Sequence, residues 1–224
     1  MGRKQQQKNH SFYRNGVTKQ NAYSMIELLI ATALGVFILA GVIESYIAFK
    51  RIYQLQNALT QIQENARFAM YYLNKQIKSV EADSCSSIHG YEFPALPPYL
   101  NKMVKADTSV LEVRQCGVSE SKITDYFVGD TGRKDSNGNK VYALYEKIKD
   151  HNKLELVDHV NTINIHYGIE NSAGDAITEM LSGDKVQDWA LVKSVDLSLS
   201  FSSATGLTKQ WQIYSALNSS KGQR

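Results

Sequence analysis

The stretch Ala22-Tyr23-Ser24-Met25-Ile26-Glu27-Leu28-Leu29-Ile30-Ala31 opens an apolar run with one carboxylate at its mouth and no other charge until Glu44. From Tyr23 to Ile43 the run is about 21 residues, which at roughly 1.5 Å per residue matches the roughly 30 Å hydrocarbon core of a bilayer. It reads as a membrane-spanning helix. A charge in such a helix costs on the order of 2.5–3.5 kcal/mol near the bilayer centre and less near an interface, so Glu27 calls for a partner or a task. Its own helix supplies no partner. An ordinary secretory signal has an apolar region of about 7–15 residues and then a small-residue cleavage site. Here the run leads straight into helix-forming sequence.

Residues 1–22 form a basic leader with Arg3, Lys4, Lys8, Arg14 and Lys19 and neither Asp nor Glu. By the positive-inside rule this end stays in the cytoplasm and the remainder faces outward. The whole chain carries +3; without the leader, 20 Lys and Arg stand against 22 Asp and Glu, about −2. The basic character therefore belongs to the leader. A nucleic-acid footprint would need Lys and Arg clustered on the working domain, so direct nucleic-acid binding is not expected.

Beyond the span, apolar residues fall at Ile52, Leu55, Leu59, Ile62, Ala66, Ala69 and Leu73, alternating steps of three and four. That is one stripe on a continuous helix. Residues 42–89 hold neither Pro nor Gly, so the helix is expected to reach about Val80, roughly 85 Å at the helical rise. The stripe suits either a short coiled-coil seam or, better, packing against the domain that follows at once. Within the apolar run, Gly35 and Gly41 either are tolerated or weaken the helix in lipid.

Residues 81–224 change texture. Ser84, Ser86, Ser87, Gly90, Pro94, Pro97 and Pro98 suggest a loop-rich stretch, and short alternating runs follow. Ile163, Ile165, Tyr167 and Ile169 share one parity, as do Val195, Leu197, Leu199 and Phe201, and Trp211, Ile213 and Leu217. Such runs are half-buried strands. Further strands are expected at 110–114, 124–128, 141–147 and 154–160. The expected class is α+β: a long N-terminal helix, its first half membrane-spanning, packed on a largely antiparallel sheet. The expected divisions are a leader at 1–22, a transmembrane half-helix at 23–50, an amphipathic half-helix at 51–80 and a β-rich head at 81–224.

Cys85 and Cys116 both lie in the outward part, where oxidation is permitted. A disulfide tying the post-helix loop to an early strand is the leading reading, and free thiols are the alternative. Metal binding fits poorly because the spacing is wide and no histidine pattern accompanies it. His10, His89, His151, His159 and His166 show no ligand spacing, and His166 falls on the polar side of its strand. No nucleophile elbow, phosphate loop or other catalytic constellation is present, so neither catalytic residues nor cofactor are assigned. Asp130, Asp135, Asn137 and Asn139 near Gly132 and Gly138 bear a faint likeness to a calcium loop without its terminal glutamate; an Asn-Gly hairpin turn accounts for them better.

The sequence around Glu27 resembles the start of type IV pilins and type II secretion pseudopilins, with Ala22 where that family has glycine and Tyr23 where it has phenylalanine. Gln63-Glu64-Asn65-Ala66-Arg67-Phe68-Ala69, with Leu73 and Ile77, resembles the helix of minor pilins of the PilW family. So do Tyr142-Ala143-Leu144-Tyr145, Glu155-Leu156-Val157-Asp158-His159-Val160, Ile165-His166-Tyr167-Gly168-Ile169, Trp189 and Tyr214-Ser215-Ala216-Leu217-Asn218, taken in order. Pseudopilin J of type II secretion shares much of this arrangement. The resemblance implies a type IV pilin-like fold and a non-enzymatic subunit that primes pilus assembly at or near the tip. It also implies cleavage by prepilin peptidase between Ala22 and Tyr23 and methylation of the new N-terminus at Tyr23. Glu27 would then recruit the subunit by meeting the N-terminal ammonium of a neighbour; the plainer alternative is a carboxylate reaching back to the cytoplasmic interface. Implied partners are other minor pilins, the major pilin, a PilY-type tip adhesin and the inner-membrane assembly platform. Implied locations are the inner membrane, then the cell-surface pilus. Alternatives are a minor pseudopilin and, from another class, a signal-anchored enzyme or sensor.

Overall fold

The computed structural model describes residues 24–80, 85–116, 121–135, 137–170, 177–203 and 206–217. The chain divides into two units, Met1–Arg51 and Ile52–Arg224. One helix, α1, runs over Met25–Ser79, 55 residues. It starts where the Ser24 carbonyl accepts the amides of Glu27 (3.0 Å) and Leu28 (3.2 Å), and it passes through Gly35 and Gly41 unbroken.

Among the described residues of the second unit, nine strands form two sheets. The first sheet is a meander of β1 (Ser87–Glu92), β2 (Ser109–Gln115), β3 (Lys122–Lys134), β4 (Lys140–Ile148) and β5 (Leu154–Asp158). The second joins β6 (Val160–Glu170), β7 (Ile177–Ser182), β8 (Val192–Ser202) and β9 (Thr208–Ala216) in the order β7-β6-β8-β9. All pairings are antiparallel. The fold is thus α+β, with a long apolar N-terminal helix and antiparallel sheets.

Three expectations need correction. The run 154–160 is two strands: His159 adopts φ +60, which ends β5, and Val160 pairs with Phe201 in the second sheet. One residue in the left-handed region thereby turns one expected sheet into two. β1 lies inside the stretch read as loop, and β7 had no alternating signature. The helical stripe is buried only from Ile62 onward, where Ala66, Ala69, Met70, Leu73 and Ile77 face inward; Ile52 and Leu55 remain 50% and 41% exposed.

That buried stripe shares one core with both sheets, through Leu111, Tyr126 and Leu144 of the first and Ile165, Tyr167 and Leu197 of the second. Polar contacts set its register. Asn65 Nδ2 donates to Asp158 Oδ1 at 3.1 Å, Tyr72 Oη to Glu146 Oε2 at 2.9 Å, and Gln115 Nε2 to Ser79 Oγ at 2.7 Å. The first sheet is covered on its other face as well. Residues 93–108 leave β1 and return to β2, laying Leu100 and Val104 over Val110, Phe127, Ala143 and Tyr145. The neck of this cover is closed by the Phe93 amide donating to the Thr108 carbonyl, 3.4 Å.

Candidate functional site

Helix α1 is long and apolar enough to cross a membrane. Its most apolar 18-residue window has mean hydropathy 2.5, and none of it is buried within the protein. Met25 and Phe37 are 87% and 82% exposed, and Leu28, Leu34, Ile38 and Val42 are open as well. A helix apolar on all sides with nothing covering it matches lipid or other helices rather than water. Two hydroxyls in and just past the span are turned back onto its backbone: Thr32 Oγ1 donates to the Leu29 carbonyl at 3.0 Å and Ser45 Oγ to that of Gly41 at 2.9 Å. That is how hydroxyls are satisfied where water is scarce.

Glu27 sits in the first turn, exposed. A carboxylate there is favoured by the partial positive charge of the helix N-terminus, typically by about 0.3–1 kcal/mol. Ala22 and Tyr23, the expected peptidase and methylation positions, lie outside the described residues. Gly35 and Gly41 have nothing within 4 Å of where a Cβ would stand.

Cys85 and Cys116 are joined as a disulfide, with Cα atoms 6.0 Å apart. The bond sits just past the last β1–β2 pair, Ser87 with Arg114, so it clamps the open end of that hairpin opposite the cover. Cys116 N–H adds a 3.3 Å hydrogen bond to Ser86 Oγ.

Asp130 and Asp135 organise the β3–β4 hairpin. Asp135 Oδ1 accepts the amides of Asn137 (2.9 Å) and Asn139 (2.8 Å), while Asp130 pairs with Lys140 at 2.8 Å. Gly138 at φ +83 supplies the left-handed turn. The carboxylates thus serve the turn, as the hairpin reading had it. Among the described residues no group of three or more His, Cys, Asp or Glu is placed to hold a metal.

Two features escaped the sequence reading. A groove of about 490 Å³ opens over the polar side of the second sheet, lined by Asn164, His166, Asp196, Ser198 and Gln212 and walled by Glu92 and Ser182. His166 is exposed there, as expected of a solvated histidine. Gln212 Nε2 donates to both oxygens of Asp196, at 2.9 and 2.7 Å. The second feature lies under the cover, where strand register sets His89, Glu112, Asp125 and Lys147 in one row across β1–β4. Glu112 and Asp125 are 2% and 0% exposed. Arg114 Nε donates to Glu112 Oε1 at 2.5 Å and Tyr91 Oη to Glu112 Oε2 at 3.0 Å, whereas neither oxygen of Asp125 has a hydrogen bond. Burial first, and then the Glu112 charge, push the Asp125 carboxyl up to about 7.

No protein-family model, no curated protein and no solved structure matches this chain. The fold itself defines an α+β protein of antiparallel sheets with an N-terminal helix long and apolar enough to cross a membrane.

Proposed function

We propose that this chain is a prepilin-type subunit, a minor pilin resembling the PilW family, and that it acts by assembly rather than catalysis. The observation that supports this reading most is one continuous helix with two faces of work. Its unburied apolar first part carries a lone carboxylate at its start, and the stripe from Ile62 to Ile77 is built into the head. Such a subunit waits in the inner membrane with its head outside, then passes into a filament through helix packing. Prepilin peptidase frees and methylates Tyr23. Glu27 of one subunit then meets the N-terminal ammonium of the next, an ion pair formed only when helices lie side by side. Desolvation makes such a pair geometrically demanding, so it sets register and recruitment more than net stability. Other minor pilins, the major pilin, a PilY-type tip adhesin and the inner-membrane assembly platform are the partners this role requires.

The test is Glu27→Gln, which keeps shape and removes charge. Synthesis, insertion and cleavage should continue, while co-purification with the other minor pilins and the number of surface pili fall. Wild-type values for both at equal expression would exclude Glu27 as the recruiting charge. Normal pili together with failed secretion would assign the chain to a type II secretion pseudopilus.

A further inference from the structure

Two carboxylates directly opposite each other on adjacent antiparallel strands stand about 4.5–5.5 Å apart at Cβ, and like charges so placed repel. Glu112 and Asp125 are such a pair, and both are sealed from water. The Glu112 charge is well compensated by Arg114 and Tyr91. Asp125 has no comparable support. Lys147, opposite it on β4, spends its ammonium on the His151 carbonyl at 2.6 Å. Tyr99, on the cover, is close enough for its hydroxyl to favour the ionised Asp125 carboxyl, an effect smaller than burial and the Glu112 charge, but neither Asp125 oxygen has a hydrogen bond of ordinary geometry. A buried ionised carboxylate without hydrogen bonds is an expensive group, and protonation is its usual relief.

We propose that residues 93–108 form a proton-latched cover: with a proton on the Glu112–Asp125 pair the cover stays docked, and loss of that proton drives it off the first sheet. Protonation removes the opposed charges. Deprotonation leaves two anions that only water can relieve, and the cover is what keeps water out. Its docking rests on the apolar side chains of Leu96, Leu100, Met103 and Val104, the Lys105 amide on the Val128 carbonyl at 2.7 Å, and Lys105 Nζ, which donates to the Asn161 carbonyl at 2.7 Å and lies 4.2 Å over the Tyr142 ring. Opening would bare Val110, Phe127 and Tyr145, an apolar face available only above neutral pH.

The other charged groups around the pair do not reproduce this response. On β1, burial lowers the His89 pKa from its ordinary value, with the Arg114 charge adding to that, so His89 titrates at more acid pH. Tyr91 and Tyr99 are raised, mainly by burial, and stay neutral. Arg114 on β2 keeps its charge, raised by Glu112 against the opposing effect of burial. On the cover, Lys102 and Asp107 are exposed.

The experiment is hydrogen exchange of the full chain in detergent micelles at pH 5 and pH 8, with amides of β8 as internal reference. A proton held about three pH units more tightly in the closed form makes opening rise about tenfold per unit over that range, so residues 93–108 should open roughly tenfold to a hundredfold more at pH 8. Asp125→Asn should reduce that change to about twofold or less. Equal opening at both pH values in the wild type, or an unaltered response in Asp125→Asn, would overturn the latch. Carbon NMR of the labelled Asp125 carboxyl in the wild type decides independently of any variant. An Asp125 already ionised at pH 5 refutes the proposal, and titration near neutrality together with the pH-dependent exchange upholds it.

Discussion

The ring of Tyr167 on β6 occupies the space that a side chain at Gly90 of β1 would need, with its Cζ and Cε2 2.6 and 2.7 Å from where a Cβ would stand. This contact joins the two sheets: Tyr167 is fully buried, its hydroxyl donates to the His89 carbonyl at 3.4 Å, and Trp189 meets it edge-on at 4.9 Å. Gly90→Ala should therefore destabilise the head by about 1–3 kcal/mol through overpacking. Thermal unfolding of the full chain in detergent, followed by near-ultraviolet circular dichroism, should show the loss. An unchanged midpoint would mean that the sheets are not in contact at this point.

Along α1, burial predicts opposite outcomes for the same chemical change. Leu73 is 0% exposed and Leu39 is 60% exposed. Leu73→Ala should cost the head about 2–5 kcal/mol by cavity formation. Leu39→Ala should leave head unfolding unchanged. Equal effects would remove the distinction between the two parts of the helix.

The Cys85–Cys116 disulfide closes a loop of 31 residues' separation, worth roughly 3–4 kcal/mol in the chain-entropy model. Replacing both cysteines by serine should lower the unfolding midpoint without affecting membrane insertion. Recovery of two free thiols from wild-type protein exposed to the periplasm would contradict the bond.

Asp125 makes head stability depend on pH in a defined direction. Its folded value of about 7 lies above the roughly 3.9 of an unfolded aspartate, so between these the folded head holds a proton the unfolded chain has lost. The stability it confers is complete below about pH 4 and is lost as pH rises through about 7, to a total of at most ~4 kcal/mol. Unfolding midpoints measured from pH 5 to pH 8 should fall in the wild type and fall much less in Asp125→Asn. Parallel curves would show Asp125 already ionised at pH 5.

How much of this was legible in the sequence depended on whether the signal was local. The helix and the strands around Ile163–Ile169 and Val195–Phe201 announced themselves because each buries alternate or every third-to-fourth residues against one core. β1 did not, since of its two inward positions only Ile88 is apolar and the other is Gly90, chosen for Tyr167. The break at His159 depends on one backbone angle, which residue type does not dictate. The row His89, Glu112, Asp125 and Lys147 draws on four strands, and only their register brings it together. Read along the chain, each is an ordinary polar residue. Glu27, by contrast, was visible at once because a lone charge in an apolar run needs no fold to be conspicuous.

The prepilin assignment meets its most direct test at the N-terminus. Intact-mass analysis of the protein purified from membranes should give a chain that begins at Tyr23, carries one N-methyl group and lacks residues 1–22. A chain that keeps Met1–Ala22 in cells with active prepilin peptidase, or one that begins beyond residue 40, would contradict the assignment and with it the recruiting role of Glu27.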